Sequence, residues 1–85
     1  MQLRSDANLK VLIYITSAQG THMAATVSDP GAVAAALALR KGDRVTIPDV
    51  STALPGYEPE IAVGQLCKRV FDFNRGEVSI LLERE

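Results

Sequence analysis

The sequence has no tryptophan, one cysteine and one histidine. Each scarcity excludes a class of protein. A single thiol, Cys67, closes no intrachain disulfide and builds no cysteine-based zinc centre. A reduced, cytoplasmic setting is the simpler expectation. A single imidazole, His22, leaves a transition-metal site short of ligands. Two tyrosines and two phenylalanines are the whole aromatic set, so the core must be built from Val, Ile, Leu and Ala. Excess charge is absent too, with a formal net charge of −1. A nucleic-acid-binding domain ordinarily carries a basic excess or stripe, so nucleic acid is not the favoured partner. The apolar run at 9–15 falls far short of the ~20 residues that span a bilayer. The polar residues before it do not read as a signal peptide, so no membrane partner is expected.

What is present describes one domain covering 1–85, with 1–8 expected as a loosely ordered N-terminal segment. A chain of 85 residues buries roughly 60% of its unfolded surface, an adequate but thin core that a homodimer would enlarge. Residues 9–15 (LKVLIYI) suit a central strand covered on both faces. Gly20 breaks the pattern, and 23–27 (MAATV) returns antiparallel. Asp29 is a good helix N-cap, Pro30 fits the first helical position, and 32–39 are mostly strong helix formers. Gly42 is placed for a left-handed C-terminal cap, with Arg40 and Lys41 at the carbonyl end. On the helix, Val33, Ala36, Leu37 and the stem of Arg40 share one face.

Residues 44–50 read as a short strand with Val45 and Ile47 on one side, and Pro48 suits an edge. Residues 51–60 (STALPGYEPE) form a loop with a type II turn signal at Pro55-Gly56. A closing hairpin turns around 74–77. Its expected register pairs Phe73 with Val78, Phe71 with Ile80 and Arg69 with Leu82, and on the other face Val70 with Leu81 and Lys68 with Glu83. Gly64 is expected to mark a bulge. The fold class is therefore α+β, of order β-β-α-β-β-β, an antiparallel sheet with one short helix packed on one face.

No constellation of catalytic residues is present. A base at His22 would need an orienting acid and a nucleophile within reach, which cannot be assigned from the sequence, and His22 reads as a turn residue. Cys67 reads as an inert free cysteine. Glu58 and Glu60 project to the same side of an extended loop but are too few for calcium. Asp43 serves the turn after Gly42. The glycines lie at separate turns, with no phosphate-binding fingerprint. Tyr57 either anchors an interface or folds back over the sheet as a lid, and both readings stand. No cofactor, no metal and no enzymatic activity are expected. The candidate partner-binding residues are Tyr57, Glu58 and Arg69.

The stretch at 30–47 (PGAVAAALALRKGDRVTI) resembles the core of the AbrB/MazE swapped-hairpin DNA-binding family through Val33, Leu37, Leu39, Gly42, Asp43 and Val45. The resemblance implies a dimeric DNA-binding regulator or antitoxin-like protein. The chain departs from that pattern at 27–30 and in its long C-terminal part, and 23–27 lacks the basic residues by which that family contacts DNA. The first expectation is accordingly a small non-enzymatic binding or regulatory domain acting through a protein partner, which includes a second copy of itself. DNA-binding regulation is the alternative, and a small enzyme with a site shared between subunits the third.

Overall fold

Aliphatic and β-branched residues dominate 10–17. In a computed structural model, which describes residues 9–85, they form β1 (Lys10–Ser17). The segment 1–8 lies outside the described residues. Val11, Ile13 and Ile15 are buried on the inner face, whereas Leu12 and Tyr14 on the outer face are only half-buried. The expected cover on both faces is therefore corrected: among the described residues the helix packs on the inner face alone. The chain reverses through Gly20, at φ +119°, into β2 (Gly20–Val27), antiparallel to β1. A register shift opposite Ile13 and Tyr14 makes Ala24 a bulge residue, and its small side chain is wholly buried.

Helix α1 (Pro30–Leu37) begins as its sequence predicts. The Asp29 carboxylate accepts the Ala32 N–H at 2.9 Å, and Pro30 occupies the first turn. Val33 and Ala36 are buried and Leu37 is half-buried, while Arg40 is exposed. The expected cap at Gly42 is corrected. The helix ends at Leu37, and Gly42, at φ +92°, belongs instead to the turn 40–43. There the Asp43 N–H donates to the Arg40 carbonyl at 2.9 Å, and the Asp43 carboxylate accepts the Arg40 N–H at 2.7 Å. Arg40 and Lys41 thus lie beyond the last helical turn. The segment resembling the swapped-hairpin family is here a helix, a turn and β3 (Arg44–Pro48).

After β3 a single 3-10 turn (Val50–Thr52) leads through the loop to β4 (Ile61–Asp72) and β5 (Glu77–Arg84). The sheet order is β2-β1-β5-β4-β3. The expectation of a purely antiparallel sheet is corrected, because β5 lies beside β1 in parallel. It reaches that place by following β4 back as a hairpin, which leaves its free side to β1. Val11–Val78, Ile13–Ile80 and Ile15–Leu82 face each other across this pair, and all six side chains are buried. The sheet curls into a half-barrel with β2 and β3 as its edges, and α1 connects those edges across the inner face.

The closing hairpin keeps its expected faces but not its register. Phe71 opposes Val78, Arg69 opposes Ile80 and Leu66 opposes Leu82; on the outer face Val70 meets Ser79 and Lys68 meets Leu81. Two causes act together. Phe73 is taken into the loop 73–76, closed by Gly76 at φ +66°. Asp72 then accepts the Arg75 N–H at 3.2 Å. Farther along β4, the extra residue of a bulge is Cys67, not Gly64. Gly64 matters for a different reason, since a Cβ there would stand 3.0 Å from the Glu83 carbonyl oxygen and the Leu82 Cβ. Its hydrogen side chain permits close approach of β4 and β5.

Candidate functional site

Asp49 follows Pro48, the last residue of β3. It is the one buried charged residue among those described, at 1% exposure. Its carboxylate accepts the Ser51 hydroxyl at 2.6 Å, the Ser51 N–H at 3.0 Å and the His22 Nε2–H at 2.8 Å. A carboxylate only accepts, so His22 must carry its proton on Nε2. Burial pushes the Asp49 carboxyl up, but the bonds from Ser51 and His22 outweigh it and hold the pKa below its ordinary value. His22 does not sit in a turn as expected. It stands on edge strand β2, and its bond to Asp49 ties that edge to the end of the opposite edge strand.

The three side chains do not form a nucleophilic triad. Ser51 donates to Asp49 and not to the imidazole, so no base is set against its hydroxyl. The arrangement fastens the seam of the half-barrel, and it also fixes the base of the connection that follows. The Asp49 N–H donates to the Glu60 carbonyl at 2.8 Å, and the Asp49 carbonyl accepts the Thr52 hydroxyl at 2.7 Å. The Thr52 oxygen in turn accepts the Glu60 N–H at 2.8 Å. Farther out, the Tyr57 N–H donates to the Leu54 carbonyl at 3.0 Å around Pro55 and Gly56, with Gly56 at φ +81°. This is the type II turn its sequence signals.

This tied connection presents Val50, Leu54, Tyr57 and Ile61, half of the large apolar side chains exposed among the described residues. Tyr57 is 77% exposed, so it does not lie as a lid on the core. Glu58 and Glu60 are exposed beside it. Arg69 is placed elsewhere, about 26 Å along β4 from Ile61 at ~3.3 Å per residue. Its guanidinium donates to the Leu39 carbonyl at 2.7 Å and the Ala36 carbonyl at 3.5 Å. Arg69 thereby supplies the cation that the sequence suggested for Arg40 and Lys41. It also lies against Phe71, 5.8 Å from the ring centroid, and Phe71 stacks on Phe73 at 5.9 Å. Tyr57 and Glu58 therefore share a surface, and Arg69 is not part of it.

The residue that sequence reasoning passed over is Asp49. A signal exists: an Asp after a strand-ending proline, with Ser two and Thr three residues further on, is a side-chain-to-backbone capping pattern. Among the described residues no three His, Cys, Asp or Glu side chains are grouped to hold a metal ion. No helix among them is long and apolar enough to cross a membrane. Comparison of the chain with protein-family models, with curated proteins and with solved structures finds no match.

Proposed function

We propose that the protein is a small non-enzymatic binding module that docks a protein partner through the connection from Val50 to Ile61. One observation carries the reading. An exposed tyrosine and three exposed aliphatic side chains stand on a connection, ending at the first residue of β4, whose backbone is tied at its base and at its tip. Interfaces are anchored by a few aromatic and aliphatic residues. A loop already held in shape loses little conformational entropy when it docks. Glu58 and Glu60 favour a partner with cations around its apolar contact. A second copy of this chain satisfies the same description if the partner surface is its own.

The test places a photo-crosslinking amino acid at Tyr57, with Thr26 on the outer side of β2 as the control position. Crosslinking to one protein from 57 and not from 26 identifies the partner. Tyr57→Ala is then expected to weaken that complex by about thirtyfold or more, the effect of losing an interface anchor. Its melting temperature should barely move, because an exposed side chain contributes little to folding. An affinity unchanged in Tyr57→Ala and in Leu54→Ala excludes the loop as the docking surface.

A further inference from the structure

A groove of about 300 Å³ runs between α1 and β3. Its floor is Ile13 and Ile80, and its walls are Ala35, Leu39, Val45 and Ile47, with Thr46 the single polar residue among those lining it. The groove exists because α1 brings alanines where larger side chains would close over the sheet. The turn joining two of its wall residues, Leu39 and Val45, holds Arg40, Lys41 and Arg44 against one acid, Asp43. Arg44 pairs with Glu85 at 3.1 Å, and among the described residues neither Arg40 nor Lys41 takes part in an ion pair. An aliphatic groove whose wall residues Leu39 and Val45 are joined by a turn with three cations and one acid fits an apolar chain that ends in an anion. We infer that the groove binds a single-chain aliphatic amphiphile with an anionic head, its chain along the groove and its head at the 40–44 turn.

The volume sets the chain length. A methylene group fills about the space of one liquid water, ~30 Å³, so roughly eight to ten carbons fit. Thr46 is the one polar side chain in the lining, too few to orient a ring or an amide, so affinity must follow the apolar area buried. The site is independent of the 50–61 connection, and Tyr57→Ala is expected to bind the amphiphile as the unaltered protein does.

The experiment titrates hexanoate, octanoate and decanoate below their micelle concentrations into protein with labelled aliphatic methyl groups, read by NMR. Saturable shifts are expected at Ile13, Val45, Ile47 and Ile80, with affinity rising roughly fourfold per added methylene. Charge reversal of Arg40 and Lys41 to Glu, both exposed, should weaken decanoate about fivefold to tenfold and leave the melting temperature unchanged. Ala35→Leu, at an exposed helix position, should fold normally and lose binding by filling the groove. Three results overturn the inference: no saturable shift at these methyls, equal affinity for decyltrimethylammonium, or a concentration-dependent mass that Ala35→Leu abolishes. The last would make a second copy of the chain the occupant.

Discussion

Burial and bonding pull the Asp49 carboxyl in opposite directions, and bonding prevails. Burial favours the neutral acid; Ser51 and His22 favour the anion and bring the pKa below 3.8. A folded-state pKa below the unfolded one adds stability that is fully present above about pH 4 and disappears as pH falls through the lower folded value. Asp49→Asn keeps the shape but gives up the charge that holds His22 and Ser51. Its stability at pH 7 should fall by about 1–3 kcal/mol, a loss of several degrees in melting temperature for a chain of this length. It should also flatten the acid limb of the stability curve below pH 4. Urea melts at pH 7 and pH 3 check both, and an acid limb as steep as that of the unaltered protein contradicts the assignment.

Helix α1 shows at the scale of an element how local and distant residues divide the work. Eight residues are too few for an isolated helix. Its first turn is held by Asp29, a near neighbour, and its carbonyl end by Arg69, thirty residues from Leu39. Arg69→Met preserves the apolar stem but removes the donors, and it should cost about 1–3 kcal/mol. Amide exchange should quicken in the last turn of α1 before it does in β1 or β5. Uniform exchange across the fold would show that Arg69 is not the cap.

The same division explains what the sequence made legible. The first hairpin, the start of the helix, the Val45–Ile47 face and the Pro55-Gly56 turn all follow from chemistry within a few residues. The parity of the closing hairpin was readable because a slip of one residue would set Phe71 against Ser79 and Phe73 against Glu77, but its register depended on how many residues the loop consumed. The cap at Arg69 and the His22–Asp49 bond join residues 27 or more positions apart, a separation that no local pattern encodes. The exposed Tyr57 was legible as a choice between two positions, and the ties at Thr52 and Glu60 were not legible at all.

At the scale of the sheet, the decisive feature is that β5 is the middle one of the five strands among the described residues. Removing Glu77–Arg84 leaves β2-β1 and β4-β3 as separate pairs, each too small to be stable alone. Such a truncated chain is expected to show no cooperative thermal transition by circular dichroism. A sharp transition in it would mean that α1 and the two pairs hold together without the central strand.

That order also governs how the protein is made. Synthesis delivers β1 early and its parallel neighbour after everything between. Until β5 clears the ribosome's exit tunnel, the Val11, Ile13 and Ile15 row lacks its parallel partner. Every nascent copy therefore passes through a stage in which a sticky aliphatic strand waits for a mate still being translated.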